Sequence, residues 1–590
     1  MGWLPVALLA VPLLGALVLV AVPGPLTRGV RWYGTAVSGV VLALAVVLVA
    51  VFDHGQAART QFAVDRPWIP GLGLRFHLGV DGISLPLIVL TALLTFLCFA
   101  YLGWGDGRGL GQLLGARDGD TRPRALVFTL LVLEVGMIGT FLALDLLLFF
   151  VFFEIVLIPM YFLIAVWGGK GRRGAAIKFI LYTLLGSVVM LLGLLLVWAQ
   201  TGTLDIVALG QAHGSGMSRT VQIVAFTAVG LGLAVKTPMW PLHTWLPDAH
   251  TEAPTVGSVL LAGVLLKMGT YGFARIAIPV LPEGAVAVAP WLGALAVVGI
   301  VYGALACLAQ RDLKRMIAYS SVGHMGFVLL GFATLTTVGV NGALFANVAH
   351  GLITGLLFFV AGAVKDRYGT ADMPSLGGGM LATLPRLGSV LTFAAIASLG
   401  LPGLAGFWGE MLALLGAFDP GAGLPRGLFL TFMVIGGLGA VLTAAYFLVM
   451  LSRVTHGLPG RRALVPAGAG APGLVAVDER PVSPAPEDRP VRGDAAVHEV
   501  DAPPDDPALR EGAGAGGAAV QDVRDVRGHL PDVPDVRDVR GHLPDVRDVR
   551  GHELVAWVPL IVLILLFGLW PGLLLSLTTP AVQALLEGLT

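Results

Sequence analysis

The sequence predicts an all-α polytopic membrane protein with about 14 transmembrane helices. Of its 590 residues, 56% are hydrophobic, and the mean hydropathy is +0.85. Only 13% of the residues are charged, which is about half the share in an ordinary soluble protein. Apolar runs of about 20 residues, the length that crosses a bilayer as a helix, recur along the chain.

Fourteen apolar segments are long enough to span. They lie near residues 3–22, 31–52, 82–102, 125–143, 145–167, 175–200, 220–239, 256–278, 287–308, 315–334, 339–363, 387–415, 427–451 and 555–577. The first segment has no basic residue ahead of it, so we interpret it as a retained spanning helix rather than a cleaved signal peptide.

The short loops between these segments differ in their basic residues. Odd-numbered loops hold most of the arginines and lysines, among them Arg122, Arg124, Lys170, Arg172, Arg173, Arg311, Lys314 and Arg315. Loops rich in Lys and Arg stay in the cytoplasm. The odd loops are therefore predicted to be cytoplasmic, and both termini extracytoplasmic.

Residues 457–553 have a different composition. They are rich in Pro, Gly, Ala, Asp and Arg, and DVRDVRGH occurs three times, at 522–529, 535–542 and 545–552. Such a composition predicts a disordered cytoplasmic linker. Its charges could bind a partner and its histidines a metal, but a repeat-expanded linker without chemistry is the favoured interpretation.

Several functions have no support in the sequence. The formal net charge is zero, which gives no reason to expect nucleic-acid binding. Cys98 and Cys307 are the only cysteines, whereas an iron–sulfur cluster needs about four ligands. The chain has no recognisable nucleotide-binding motif. No metal or cofactor site is therefore predicted in this chain.

Ionisable residues interrupt several of the predicted spans. A charge at the bilayer centre costs roughly 2.5–3.5 kcal/mol on insertion scales, so such residues usually mark an ion or proton pathway. Lysine is scarce, with six residues against 31 arginines, and only lysine releases its proton readily when buried. The candidate proton sites are Glu154, Lys236, Lys267, His324, His350 and Glu410.

Each candidate has a purely structural alternative. Glu154 and Lys236 carry opposite charges in separate helices, and weakening such a pair lets the buried lysine lose its proton. A buried ion could instead only tie helices together, and His324 and His350 could be core histidines. Glu134 and Asp145 are expected near helix ends, in solvated or capping roles.

Prolines break two of the predicted helices beside charges. Pro238 and Pro241 follow Lys236, and the sequence Leu401-Pro402-Gly403 precedes Glu410. Proline lacks an N–H donor, and irregular backbone at membrane depth is tolerated only inside protein or beside a wet cavity. The stretch WPLHTWLPDAH after the first break holds three residues that could admit protons or simply complete a loop: His243, Asp248 and His250.

Broken helices in both halves of a transporter typically indicate inverted repeats. Helices 4–8, residues 125–278, are predicted to match helices 9–13, residues 287–451. Residues 1–124 hold helices 1–3, and residues 555–590 hold the last helix and the C-terminus. Helices 7 and 12 are the broken ones.

Four stretches of the chain resemble a known family. KTPMWPLHTWLPDAHTEAPT, LLLFFVFFEIVLIPMYFLI, LKRMIAYSSVGHMGFVLLG and LPGLAGFWGEM are similar to the antiporter-like subunits of proton-pumping NADH:quinone oxidoreductase, respiratory complex I. The match covers nearly all of helices 4–13. It is closest to the subunit M branch, because the L and N branches carry lysine where this chain has Glu410, and L has further C-terminal helices.

The resemblance implies a function and a set of roles. The chain would be a proton-translocating membrane subunit, a translocase component that works beside the L and N subunits. FMN, iron–sulfur clusters, NADH and quinone would be handled by other subunits. Glu154 and Lys236 would form the ion pair of the first half-channel, Lys267 the central relay, His324 and His350 the onward path, and Glu410 the terminal site.

Two other functions remain as alternatives. A subunit of a multi-subunit Na+/H+ antiporter shares the same ancestry, and neighbouring genes would distinguish the two. A haem-bearing electron carrier would use His324 and His350 as axial ligands, and a visible spectrum of the purified chain would reveal the haem.

Overall fold

The computed structural model describes residues 2–21, 29–103, 123–457, 548–549 and 551–589. Thirteen helices in this part of the chain are long and apolar enough to cross a membrane. A fourteenth crossing is divided into two helices of 14 residues each. The predicted all-α polytopic class is confirmed.

We number the crossings α1 to α14. Their bounds are α1 Trp3–Ala21, α2 Gly29–Val51, α3 Ser84–Gly103, α4 Pro123–Leu142, α5 Leu146–Trp167, α6 Arg172–Thr201, α7a Arg219–Lys236 with α7b Trp245–Glu252, α8 Thr255–Val280, α9 Pro282–Leu308, α10 Leu313–Ala333, α11 Thr337–Tyr368, α12a Pro385–Ser398 with α12b Ala405–Phe418, α13 Arg426–Val454 and α14 Gly551–Leu569. A shorter apolar helix, α15 (Gly572–Leu586), follows α14.

A β-hairpin joins α2 to α3. No hairpin was predicted from the sequence. Strands β1 (Gln61–Ile69) and β2 (Leu74–Val80) pair antiparallel, with Gln61 opposite Val80. Gly73, at φ 67°, closes the turn in the left-handed region that favours glycine. β1 is largely exposed and contains a proline, so its sequence lacks the strict alternation that would have indicated a strand.

The helices differ in which surface they bury. On α6, Leu181, Leu185 and Leu192 lie on one exposed face, which is the surface expected to contact lipid. The most hydrophobic stretch of α8 is instead buried along its whole length. Ionisable residues within a membrane protein face the bundle interior. Since α8 lies in that interior, a polar pathway through the protein is expected along this helix.

Two matched backbone bridges recur in the two halves of the chain. Asp145 pairs with Asp205, and Asp312 pairs with Asp372, each partner lying 60 residues further along. All four aspartates accept backbone N–H bonds at the start of a helix. Five crossings separate the starts of α5 and α10, which places the two bridges at opposite ends of the bundle. This recurrence supports the predicted inverted repeats.

The breaks in α7 and α12 free backbone carbonyls that side chains then satisfy. At the first break, the indole of Trp245 donates to the carbonyl of Val235 at 3.0 Å. At the second break, the imidazole of His324 donates to the carbonyl of Ser398 at 2.9 Å. The two interruptions predicted from prolines are therefore present, and the second directly contacts a candidate proton site.

A buried ion pair fixes the loop before α3 to α8. Arg275 donates to Asp81 Oδ2 at 2.5 Å, and the Asp81 side chain is 3% exposed. Asp81 Oδ1 also accepts the N–H groups of Ile83 and Ser84, which caps the start of α3. One carboxylate thus neutralises a buried cation and caps the N-terminus of a helix.

Replacing Asp81 with asparagine is expected to lower the free energy of unfolding by about 3–5 kcal/mol, because removing one partner leaves the other charge buried. Asparagine also caps helices well, so the change isolates the ion pair. The apparent melting temperature of the detergent-solubilised protein measures the effect.

Asp65→Asn is the matched control, since its pair with Arg75 is exposed and solvent screening leaves such a pair little effect on stability. Equal melting temperatures for the two variants would contradict a stabilising role for the buried pair.

Candidate proton-transfer site

Lys267 lies at the centre of the buried helix α8. Its side chain is fully buried, and Nζ donates to the carbonyl of Ala262 at 2.5 Å. A π-helical turn over Leu261–Leu265 precedes Lys267, and a second over Phe273–Ala277 follows it. Such turns loosen the regular hydrogen-bond ladder and are frequent at functional sites. The local geometry therefore gives a buried lysine a backbone acceptor on its own helix.

His350 on α11 contacts Lys267 directly. Lys267 Nζ lies 2.6 Å from His350 Nδ1, a distance at which a proton can pass between two nitrogens along a hydrogen bond. Thr354, one turn further along α11, donates to the His350 backbone carbonyl at 2.5 Å. His350 is therefore the immediate neighbour of the central lysine.

His324 on α10 connects His350 to the break in α12. The two imidazole rings meet edge to face, with centroids 5.4 Å apart. His324 Nε2 bonds the Ser398 carbonyl and lies 3.8 Å from Glu410 Oε1. Gly400 is at φ 80°, and a Cβ there would lie 2.8 Å from Glu410 Oε2. A glycine at this position therefore leaves room for the carboxylate.

Four of the six predicted proton sites thus form one line. The order is Lys267, His350, His324 and Glu410, carried by α8, α11, α10 and α12b. An amine, two imidazoles and a carboxyl can each accept and release a proton, which is the requirement for a relay. The resemblance implied that Lys267 comes first and Glu410 last, and the structure puts His350 before His324, although His324 comes first in the sequence.

Glu154 and Lys236 occupy the first half of the chain and do not form a direct ion pair. Lys236 Nζ is buried, has no hydrogen-bond partner among the described residues, and lies 4.6 Å from the centre of the Phe153 ring. Glu154 is close enough for their charges to interact. The sequence predicted a direct ion pair. The structure instead shows an open pair, in which the two charged groups are not in contact and an aromatic ring lies beside the ammonium group.

The three residues predicted for proton uptake lie in different surroundings. Asp248 is bonded to Lys178 at 2.8 Å and lies 3.3 Å from Arg315. His243 is buried against Tyr302, with ring centroids 4.9 Å apart, and His250 stacks on Phe358 at 4.6 Å. Asp248 is thus part of a charge network, whereas both histidines pack against aromatic rings.

The expectation for Glu134 is wrong, and that for Asp145 agrees with the structure. Asp145 caps α5 by accepting the N–H groups of Leu147 and Leu148. Glu134 lies in the interior of α4, is 0% exposed, and neither carboxylate oxygen has a partner among the described residues. The signal was present in the sequence, because Glu134 falls at the middle of the apolar run 125–143.

The two histidines do not fit the haem alternative. A haem with two axial histidines needs its ring plane between the two imidazoles, with one nitrogen of each on the iron. Here the imidazoles of His324 and His350 contact each other edge to face. His324 Nε2 and His350 Nδ1 already bond Ser398 and Lys267. The arrangement suits proton transfer between side chains better than a bound macrocycle.

Comparisons with known proteins place the chain in one family. Residues 143–443 match the family model described as NADH:quinone oxidoreductase/Mrp antiporter, TM. NADH-quinone oxidoreductase subunit M of Rhodobacter capsulatus is 42% identical over 460 residues, which cover 76% of this chain and 85% of that protein.

Solved structures give the same result for the fold. A chain of respiratory complex I from Thermus thermophilus with bound NADH has a TM-score of 0.73 and 27% identity, with both chains fully covered. A chain of the Mrp complex from Dietzia has a TM-score of 0.73 and 23% identity, covering 99% of this chain and 97% of that one. The second likeness concerns the fold alone.

The broken helices and the buried line of titratable groups therefore define an antiporter-like membrane subunit. Within that class, the chain belongs to the subunit M (chain 4) family of NADH-quinone oxidoreductase. It is a proton-translocating membrane subunit that couples electron transfer from NADH to quinone, carried out in other subunits, to proton pumping.

Proposed function

We propose that protons cross the second half of this subunit along Lys267, His350, His324 and Glu410, in that order. The observation that carries the proposal is the 2.6 Å contact between Lys267 Nζ and His350 Nδ1. This contact joins the most buried lysine to two neighbouring imidazoles, and the second imidazole lies near the Glu410 carboxylate. Ser398, at the break in α12, holds the second imidazole in place.

The pair in the first half controls when the lysine releases its proton. Lys236 lies at the end of α7a, which packs against the middle of α8 where Lys267 is located. A positive charge on Lys236 disfavours a second positive charge on Lys267, and Glu154 offsets the first charge. Closing or opening the Glu154–Lys236 pair therefore changes the proton affinity of Lys267 without direct contact.

The proposal also covers the surroundings of the subunit. The chain lies in the bacterial plasma membrane beside the L and N antiporter-like subunits, with odd-numbered loops in the cytoplasm and both termini outside. FMN, iron–sulfur clusters and quinone belong to other subunits. Protons reach Lys236 and Lys267 from the cytoplasmic side past His243, Asp248 and His250, and His250 is close enough to Lys267 for their charges to interact.

His350→Gln tests the line at its middle. Glutamine keeps hydrogen bonding but cannot carry a proton, so pumping is expected to fall about tenfold or more. The measurement is proton uptake into vesicles during NADH-to-quinone turnover, with NADH oxidation by an artificial acceptor as the assembly control.

His54→Gln is the matched control, since His54 is exposed in the loop before β1. Normal pumping in His350→Gln would overturn the proposed line. Turnover that depends on added Na+ would favour the antiporter alternative instead.

A further inference from the structure

Asp548 caps a helix that is far away in the sequence. Leu384, which precedes α12a, has no side-chain acceptor for the first N–H groups of that helix. Asp548 supplies it, because its carboxylate accepts the N–H of Arg386 at 2.8 Å and that of Leu387 at 3.0 Å. A negative charge at a helix N-terminus also interacts favourably with the helix dipole.

A buried arginine holds Asp548 in this position. Arg367, near the end of α11, donates through Nε to the Asp548 carbonyl at 3.1 Å. Both of its terminal nitrogens bond Glu553 on α14, at 2.8 and 2.7 Å. The side chains of Arg367 and Glu553 are only 6% and 3% exposed. Such a two-pronged arginine–carboxylate bond fixes orientation as well as distance.

Helix α12a leads from this cap to the proton line. It has 14 residues, which corresponds to about 20 Å at 1.5 Å per residue. Its last residue, Ser398, provides the carbonyl that His324 bonds, and Glu410 follows after the break. The cap at one end of α12a and the His324 contact at the other end therefore belong to one rigid element.

We propose that Asp548 is a positioning residue for proton transfer: by capping α12a it sets the position of Ser398, and through Ser398 the approach of His324 to Glu410. This inference rests on the proposed function, since it concerns the same line of groups. It assigns a role to Asp548 in the third copy of DVRDVRGH, a stretch whose composition predicted a linker without chemistry.

The repeats supply a matched control for this proposal. Asp548 is the fourth residue of the copy at 545–552, and Asp525 and Asp538 occupy the same place in the other two copies. Those two copies lie outside the described residues. Asp538→Ala changes the same residue of an identical eight-residue sequence and leaves Asp548, the residue that caps α12a, in place.

The experiment compares Asp548→Ala, Asp548→Asn, Asp538→Ala and His324→Asn in the assembled complex. Protons moved per electron are measured in vesicles, with artificial-acceptor oxidation to normalise for assembly. Loss of a cap of this kind is expected to lower the proton-to-electron ratio about threefold to tenfold in Asp548→Ala. Asparagine caps nearly as well as aspartate, so Asp548→Asn is expected to recover most of the ratio.

The outcomes distinguish a failure of the positioning role from a failure of the proposed proton line. A ratio that falls in Asp548→Ala, recovers in Asp548→Asn and is normal in Asp538→Ala supports the positioning role. Equal ratios in Asp548→Ala and Asp538→Ala, with His324→Asn impaired, overturn the positioning role alone. A normal ratio in His324→Asn overturns the proposed proton line itself.

Discussion

Lys267→Met is expected to abolish proton pumping, with a loss of about 100-fold or more. Lys267 is fully buried. Its Nζ bonds a backbone carbonyl of α8 and also contacts His350, the next residue of the line. Methionine fills a similar volume but carries no proton, so the proposed relay loses its first member. NADH-to-quinone turnover and the resulting proton gradient measure the effect.

Lys267→Arg is the sharper form of the same test. Arginine keeps the positive charge and the donors but does not release its proton in proteins. Pumping is therefore expected to be lost in this variant as well, while artificial-acceptor oxidation stays normal. If Lys267→Arg pumps at the wild-type rate, a fixed charge is sufficient at this position and proton release from Lys267 is not part of the mechanism.

Glu154→Gln is expected to reduce quinone-linked turnover and pumping about tenfold or more. The change keeps the shape of the side chain and removes the negative charge that acts on Lys236. Lys236 has no hydrogen-bond partner among the described residues, so Glu154 is its main electrostatic counterpart. Without that carboxylate, Lys236 cannot be switched between a paired and an unpaired state.

Glu283→Gln controls for the loss of a carboxylate as such, because Glu283 is exposed in the first turn of α9. Both variants are compared by proton uptake and by artificial-acceptor oxidation in the same membranes. Wild-type pumping by Glu154→Gln would make Glu154 a structural charge and would remove the proposed control of Lys267.

Much of the fold could be predicted from the sequence because the bilayer imposes a simple rule. A crossing helix must be about 20 residues long and mostly apolar, and this rule identified every crossing that the structure describes. The breaks in α7 and α12 were also predictable, since proline removes a backbone donor wherever it occurs. The β-hairpin was missed because β1 is mostly exposed and contains a proline, so its residues do not alternate strictly between apolar and polar.

Composition gave the wrong boundary between the predicted linker and α14. The predicted linker ends at residue 553, yet α14 begins at Gly551, and Glu553 is buried against Arg367. The rest of the predicted linker lies outside the described residues, apart from its first residue and residues 548–549. The sequence does not indicate which copy contacts the membrane domain, because all three copies are identical.

The sequence by itself identified the candidate residues for proton transfer: an ionisable side chain inside an apolar span is costly wherever it lies, so Lys267, His350, His324 and Glu410 could be recognised one by one as candidates. Only the tertiary structure decided the order of the two histidines and the contacts among all four side chains. Hydrophobic patterns fix how long a helix is and whether it crosses, but they do not fix which helices become neighbours. The line from Lys267 to Glu410, the open Glu154–Lys236 pair and the cap from Asp548 all depend on that packing.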